Sequence, residues 1–386
     1  MELYKAIEAD WQAGKANNIT FIVTKDCQLA CKYCYLVGKS SNGRMSFIVA
    51  KQAIDYILRN RKNFQENSVI WDFIGGEPFL EIELIDKICD YIKLEMYKLN
   101  HPWFNSYRFN LTTNGINYHD DKVQNFIKKN IKHLNVSITI DGTKEKHNIN
   151  RVFKNSSKGS YEDVIKNIPL WIEQFPNSGT KVTISSEDLP YIKDSVLHLF
   201  SLGIHIVNIN CVFEDVWKEG DDKIFEQQLI ELADSIIDNK LYKEFSCSFY
   251  NESIGKPMDY SNQNNNWCGT GRMLAVDAEG NYYPCIRFTQ FSLSNKKTWI
   301  IGNINDGIIQ NRLRPFWTLD RFTQSSKECL ECDVAEGCAW CQGENYDSAE
   351  SPTIFQRSIA ICKMHKARVR ANNYYWNRLY YILKNE

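Results

Sequence analysis

The sequence predicts an α/β fold in which a partial (β/α)6 barrel, an opened relative of the eight-stranded TIM barrel, precedes a cysteine-rich C-terminal domain that ends in a helix. The chain as far as Asn210 alternates short β-rich apolar runs with helical patterns, as βαβ units around a parallel sheet do. Seven of the 13 cysteines then fall between Cys268 and Cys362. From about Cys362 to Leu383 the spacing is helical and rich in aromatic residues.

Six strand candidates occupy the first part of the chain. They are Ile19–Thr24, Val69–Ile74, Arg108–Thr113, His133–Ile140, Thr180–Ser185 and Ile204–Asn210. Amphipathic spacing predicts helices over Glu81–Asn100, Asp188–Leu202 and Asp221–Lys240. Further on, Met273–Asp277 and Tyr282–Cys285 predict a hairpin that turns at Glu279–Asn281. We therefore expect a barrel over residues 1–220, a bridging helix and linker over 221–267, and the cysteine-rich domain over 268–386.

The bulk composition excludes several classes of protein. Lysine and arginine number 46 and aspartate and glutamate 47, a formal net charge of −1, so the chain has no general electrostatic footprint for nucleic acid or an anionic membrane. No apolar run is long enough to span a bilayer, and the charged N-terminus lacks the apolar core of a signal peptide. We expect a cytoplasmic protein, where many cysteines indicate metal binding or catalysis more often than disulfides.

The clearest local motif is Cys27-Gln-Leu-Ala-Cys31-Lys-Tyr-Cys34, which directly follows the first strand candidate. Thiolates are soft ligands that suit zinc or iron–sulfur clusters. A structural zinc ion takes four protein ligands, whereas this loop offers three cysteines with no histidine nearby. A cubane cluster accepts three cysteines from one loop and leaves its fourth iron free. The loop favours a [4Fe–4S] cluster, and the alternative is a zinc knuckle that takes a distant ligand.

Other candidate residues lie in or after the later strands, where a barrel of parallel strands places its active site. They are Gly75, Gly76, Glu77, Asn114, Ser137 and Arg151. Glycines let the backbone approach a ligand closely, and the Glu77 carboxylate can accept hydrogen bonds from an ammonium group. These positions predict a binding site at the carboxyl ends of the strands.

The cysteine loop, with the aromatic Tyr33 just before its third cysteine, resembles the signature of the radical S-adenosylmethionine (SAM) superfamily. In that family a cluster with one open iron binds SAM and cleaves it to methionine and a 5′-deoxyadenosyl radical, which takes a hydrogen atom from the substrate. The resemblance implies that Arg151 pairs with the SAM carboxylate, a role that suits a guanidinium. It implies SAM contacts from Tyr33, Gly75, Gly76, Glu77, Asn114, Ser137 and Arg151.

The later cysteines resemble the SPASM domain, a C-terminal module that carries two auxiliary [4Fe–4S] clusters. Its pattern implies a first auxiliary cluster on Cys268, Cys285 and Cys341, and a second on Cys329, Cys332, Cys338 and Cys362. The chain departs from the usual pattern because two residues instead of three separate Cys338 from Cys341. The first cluster has either an open iron or a fourth ligand from Cys247 or Cys211. Zinc in place of the auxiliary clusters is the alternative.

The same resemblance implies a function. SPASM-bearing members mostly modify peptides, and this chain is similar to ribosomal-peptide maturases whose targets carry repeated Cys-x-x-x units. We expect three [4Fe–4S] clusters, SAM, and a thioether or related cross-link in a cysteine-containing precursor peptide. The alternatives are a carbon–carbon cross-link and formylglycine formation by an anaerobic sulfatase-maturating enzyme.

One feature weighs against formylglycine formation and another bears on partners. Formylglycine-forming enzymes are expected to carry an aspartate beside an auxiliary-cluster cysteine, whereas Ile286 follows Cys285 here and Asp277 lies earlier. The cluster loop begins at Cys27, which leaves no room before it for a leader-binding domain. We expect a separate leader-binding protein and an electron donor of flavodoxin or ferredoxin type as partners, without nucleic acid or membrane.

Overall fold

The computed structural model describes residues 16–39, 43–259, 261 and 268–385. The strands are β1 (Ala16–Thr24), β2 (Ser68–Gly75), β3 (Tyr107–Thr113), β4 (Leu134–Ile138), β5 (Thr180–Ile184), β6 (Ile206–Cys211), β7 (Ser246–Cys247), β8 (Leu274–Val276), β9 (Asn281–Tyr283), β10 (Gly302–Asn303) and β11 (Gly307–Ile308). The helices are α1 (Phe47–Arg59), α2 (Ile82–Lys98), α3 (Asp121–Asn130), α4 (Lys144–Asn150), α5 (Tyr161–Ile165), α6 (Ile168–Gln174), α7 (Ile192–Ser201), α8 (Asp221–Asp238), α9 (Gln310–Trp317), α10 (Arg321–Gln324), α11 (Lys327–Leu330), α12 (Gln342–Ser348) and α13 (Cys362–Asn385).

The six predicted strands are present and lie parallel to one another in the order of the chain. β1 pairs with β2, β2 with β3 and β3 with β4, all parallel, and β5 pairs with β6 in the same sense. A parallel bridge between Thr139 and Lys181 joins β4 to β5. Helices follow the strands as βαβ units require, so the partial barrel is confirmed and the carboxyl ends of its strands face one side.

The helices cover the sheet through the apolar stripes that the sequence shows. On α2 the buried positions include Ile85, Ile88, Ile92 and Met96, which recur at helical spacing. Cys89 lies on the same stripe with no exposed surface, as a core residue does. The predicted helix over Asp188–Leu202 begins instead with a 3-10 turn, and the α-helix starts only after Pro190, which lacks the amide that an α-helix needs.

The cysteine-rich region continues the barrel sheet. The predicted hairpin is present as β8 and β9, which are antiparallel, and β10 and β11 extend it. β8 also pairs in parallel with β1, so one sheet runs in the order β11-β10-β9-β8-β1-β2-β3-β4. This pairing supplies hydrogen-bond partners for the edge of β1 that the barrel leaves open, and it fixes the later cysteines relative to the first cysteine loop.

The long C-terminal helix α13 packs against α8, the predicted bridging helix. The rings of Tyr250 and Tyr375 stack with centroids 4.3 Å apart. Arg378 forms ion pairs with Asp234 and Asp238, and Arg370 pairs with Glu226. Tyr375, Arg370 and Arg378 therefore hold this helix to the body, whereas Tyr381 is 74% exposed. Within the described residues, no helix is both long and apolar enough to cross a lipid bilayer.

Candidate active site

The first cysteine loop lies at the carboxyl end of β1 and opens into a cavity. Cys27 is buried and its backbone N–H donates to Asp26 Oδ1 at 2.9 Å, while Cys34 N–H donates to the Cys31 carbonyl at 3.1 Å. Cys27, Cys31 and Cys34 all line one cavity of about 500 Å³. Three cysteine side chains from one tight loop therefore line a space large enough for a bound small molecule.

Gly75 and Gly76 allow the end of β2 to pass against this loop. A Cβ on Gly76 would lie 2.1 Å from the Asp26 carbonyl oxygen and 2.9 Å from Cys27 Cβ, and one on Gly75 would lie 2.2 Å from the Thr24 carbonyl oxygen. Both glycines also line the cavity. In this structure the close approach is to the backbone beside the cysteine loop, and the predicted approach to a bound ligand stays a prediction.

Glu77 is buried where the ends of β2 and β3 meet. Its carboxylate accepts hydrogen bonds from Thr113 Oγ1 at 2.6 Å, Asn114 N at 2.7 Å and Phe79 N at 3.0 Å. Burial raises its pKa against the opposing effect of these bonds. A buried carboxylate of this kind is stabilised by a cation, so Glu77, which lines the cavity, fits an ammonium group.

Arg151 and Tyr33 form the polar network on the other side of the cysteine loop. Arg151 Nη1 donates to Tyr33 Oη at 2.9 Å, and Tyr33 Oη donates to Asp141 Oδ2 at 2.5 Å. Burial alone would raise the pKa of Asp141, but Lys146 and Arg151 lower it. Arg151 is 5% exposed, and its buried Nε has no hydrogen-bond partner. An unpartnered guanidinium nitrogen beside the cavity fits the carboxylate of a bound ligand.

The remaining predicted SAM contacts divide into two groups. Asn114 lines the cavity, and its Nδ2 donates to Gln28 Oε1 at 3.1 Å. Ser137 lies inside β4 and is not among the residues that line the cavity, whereas Thr139, two residues later on the same side of the chain, is. The contact of Ser137 with SAM stays a prediction. Because every second side chain along a strand lies on the same face, the sequence could also have indicated Thr139.

The later cysteines form two groups that match the predicted sets. Cys285 has Cys341 and Cys268 among its electrostatic neighbours, and Cys341 lines the same cavity as the first cysteine loop. The second set shares a small cavity of about 40 Å³, and it consists of Cys329, Cys332, Cys338 and Cys362. The Arg357 guanidinium donates to Cys338 Sγ at 2.9 Å. Cys211 and Cys247 instead have Arg368 as a charged neighbour.

The chemistry of these donors fits iron–sulfur clusters. Burial raises the pKa of Cys27 to about 11 and that of Cys285 to about 12, so each thiol needs a strong positive centre nearby to ionise. In the part of the chain that the structure describes, no three His, Cys, Asp or Glu side chains converge on a point for a single metal ion. A cubane binds each thiolate at a different iron and makes no such demand.

Sequence reasoning missed a charged group beside the cavity. Arg287 Nη2 donates to Glu214 Oε1 at 2.6 Å and to Glu344 Oε2 at 3.3 Å. Its guanidinium carbon lies 4.6 Å from the centroid of the Tyr35 ring. The sequence offered one signal: Tyr35, Arg287 and Glu344 lie close along the chain to the predicted cluster ligands Cys34, Cys285 and Cys341. Their contacts with one another could not be predicted, because the partners come from distant segments.

Known proteins resemble this chain over most of its length. The family described as the radical SAM superfamily matches residues 21–209. A cysteine-type anaerobic sulfatase-maturating enzyme of Clostridium perfringens is 31% identical over 346 residues, which are 84% of this chain and 88% of that protein. An uncharacterized protein of Methanocaldococcus jannaschii is 28% identical over 289 residues, 74% of this chain and 87% of that protein.

Solved structures share the fold. Native anSMEcpe with bound AdoMet has a TM-score of 0.70 at 19% identity and covers 95% of this chain and 99% of its own. Streptococcus suis SuiB bound to precursor peptide SuiA has a TM-score of 0.55 at 15% identity and covers 92% of this chain and 79% of its own. Together with the family match and the sulfatase-maturating relative, these likenesses show that the chain belongs to the radical SAM superfamily and is an enzyme of that superfamily.

Proposed function

We propose that this enzyme matures a cysteine-containing precursor peptide by forming a thioether between a cysteine sulfur and a carbon atom. One observation carries the proposal: the cavity that holds Cys27, Cys31 and Cys34 is also lined by Cys341 from the cysteine-rich region. A substrate in that cavity would contact both the site of radical formation and the predicted first auxiliary cluster. The fold shared with SuiB, solved with its precursor peptide SuiA, is consistent with a peptide substrate.

The residues of this chain have distinct roles in the proposal. When bound, the cluster and SAM supply the 5′-deoxyadenosyl radical. Glu77 would hold the SAM ammonium group, and Arg151, whose Nε has no partner, would hold its carboxylate. Gly76 and Asn114 line the cavity beside the cysteine loop.

The reaction balances as a two-electron oxidation of the peptide. A carbon–hydrogen bond breaks, and its hydrogen atom leaves on 5′-deoxyadenosine. The substrate sulfur then bonds to that carbon while its thiol proton passes to a base and one electron leaves the substrate. Cys268, Cys285 and Cys341 would hold the iron–sulfur centre that accepts this electron. The peptide therefore loses two hydrogen atoms for each thioether formed. The enzyme would contain three [4Fe–4S] clusters in all, the third on Cys329, Cys332, Cys338 and Cys362.

Formylglycine formation is the second candidate, because the 31% identical Clostridium perfringens relative bears that activity in its name. The position beside Cys285 differs from the one expected for formylglycine formation. Asp277 is 6% exposed, and its carboxylate is used within the hairpin, where it accepts bonds from Glu279 N, Asn281 N and Tyr283 Oη. Ile286, which follows Cys285, has no ionisable group. A carbon–carbon cross-link would leave the substrate thiol free.

The experiment uses the reconstituted enzyme with SAM and dithionite, and two peptides: a synthetic peptide of Cys-x-x-x repeats and the Cp18Cys peptide that is bound in a solved anSMEcpe structure. We expect the repeat peptide to lose two hydrogen atoms per modification and one alkylatable thiol with each. A product that reacts with a hydrazide would be an aldehyde and would support formylglycine formation. Loss of two hydrogens with every thiol still alkylatable would support a carbon–carbon bond.

The electron donor and the leader-binding partner belong to the same proposal. Cleavage of SAM consumes one electron, which a flavodoxin or ferredoxin would supply in the cytoplasm. A separate leader-binding protein would present the precursor peptide. Pull-down of the tagged enzyme together with candidate leader-binding proteins and the precursor peptide tests this part, since the proposal expects a ternary complex.

A further inference from the structure

A second cavity adjoins the SAM cavity and shares Glu214 and Arg287 with it. This outer cavity of about 370 Å³ is lined by Cys34, Tyr35, Glu214, Arg287 and Glu344. All of these except Glu344 also line the SAM cavity. The two cavities therefore share a lining of aromatic, apolar and charged side chains, and Glu344 lines the outer cavity next to the shared Arg287.

Three segments of the chain meet at this boundary. Glu214 follows β6, Arg287 lies in the turn after Cys285, and Glu344 lies in the first turn of α12, which begins after Cys341. One guanidinium nitrogen, Arg287 Nη2, is shared between the two carboxylates. One cation cannot neutralise two carboxylates, so one of them is the weaker partner.

Glu344 is that weaker partner. Its bond to Arg287 is 3.3 Å long against 2.6 Å for Glu214, and its side chain is 13% exposed against 35%. The groups that face it are Arg287, Glu214, Asp215 and Asp347, and Lys218 lines the same cavity. Burial, and next the charge of Glu214, raise the pKa of Glu344 to about 7.

The other carboxylates of the outer cavity are less suited to accept a proton. Asp347 is committed to the loop before β10, where it accepts bonds from Ser294 N, Asn295 N and Lys296 N. Glu214 holds Arg287 through the shorter bond. Glu187, the fourth carboxylate that lines this cavity, is exposed. Glu344 alone of the four combines burial, a weak cation contact and a place on the cavity wall.

We infer that Glu344 is the general base that takes the thiol proton of the substrate cysteine. The inference rests on the proposed function. As the S–H bond breaks, its proton passes to the Glu344 carboxylate, the sulfur electron pair bonds to the carbon radical, and one electron leaves to an iron–sulfur centre. The conversion of a cysteine to formylglycine also removes a thiol proton, so the inference can be tested on whichever product the wild-type enzyme makes.

The test compares Glu344→Gln with Glu214→Gln, since each removes one carboxylate from the same guanidinium. We expect wild-type product formation to rise with pH through about 7, because the base must be ionised. Glu344→Gln should form product about a hundredfold more slowly, without that rise, while SAM cleavage stays near the wild-type rate. Glu344→Asp should restore part of the rate and the rise. Glu214→Gln should keep the rise but move it to lower pH, because loss of a neighbouring negative charge lowers the pKa of Glu344.

A second readout needs no peptide. Infrared difference spectra of the reconstituted enzyme should show a protonated carboxyl band that disappears as the pH rises through about 7, and that is missing in Glu344→Gln. The inference is overturned if this band does not depend on Glu344, or if Glu344→Gln makes product at the wild-type rate. Equal loss of SAM cleavage and product would also overturn it, since a base for the thiol acts after cleavage. A wild-type enzyme that converts neither peptide contradicts the proposed function. The infrared result then still decides whether Glu344 is the carboxyl group that titrates near pH 7.

Discussion

The two cysteine-bearing regions of this molecule are built in opposite ways. Cys27, Cys31 and Cys34 come from one loop after β1, although backbone bonds to residues 150–154, such as Ala30 N–H to the Val152 carbonyl, hold that loop in place. The set of Cys268, Cys285 and Cys341 comes from three segments that the sheet and its turns bring together. The difference teaches that radical formation can be located from local spacing, whereas the place where the product forms depends on the whole fold.

The local loop is the place where a single substitution should have the largest effect. We expect Cys31→Ala to abolish SAM cleavage, because two cysteines cannot hold the cluster with its open iron. The measurement is 5′-deoxyadenosine release under dithionite. Cys89→Ala is the matched control, since Cys89 is buried in the core on α2 and should lower stability without stopping cleavage. If Cys31→Ala cleaved SAM at the wild-type rate, the loop would not be the cluster site.

A smaller effect on activity is expected at Arg151, which is predicted to bind SAM and not the cluster. Arg151→Met removes the guanidinium and should raise the KM for SAM by about ten- to a hundredfold, the scale of one or two charge-assisted hydrogen bonds. The iron content should be unchanged. Arg370→Met, which removes a half-exposed partner of Glu226, is the control and should leave the KM unchanged. An unchanged KM in Arg151→Met would remove Arg151 from the SAM site.

The smallest effect is on the packing that holds the loop in place. Gly76→Ala would place its Cβ 2.1 Å from the Asp26 carbonyl oxygen, so the backbone must shift. We expect a loss of about 1–3 kcal/mol in the free energy of unfolding, together with less iron bound. Gly38→Ala is matched to it, because its Cβ would meet Phe291 only at an ordinary 3.5 Å. Thermal unfolding and iron analysis measure both, and equal behaviour of the two variants would contradict the packing argument.

The sequence predicted more of the fold than of the site. All six barrel strands, the hairpin and the C-terminal helix could be predicted because period-2 and helical patterns are local properties of the chain. Glu77 could be predicted because it follows a strand whose end meets those of its neighbours. Arg151 follows the helix α4, and its role was predicted from the resemblance to the radical SAM family. The pairing of β8 with β1 could not, since nothing in either segment encodes its partner. Nor could the contact of Arg287 with Glu214, which are 73 residues apart and meet only once both cysteine regions have folded.

The central claim is that the cysteine loop makes the radical and that the Cys341 region converts it into product. The most direct test measures 5′-deoxyadenosine and modified peptide together in Cys341→Ala, which removes the predicted cluster ligand that lines the SAM cavity. We predict that 5′-deoxyadenosine forms at close to the wild-type rate while the modified peptide is lost. Modified peptide at the wild-type level, or an equal loss of both products, would contradict the claim.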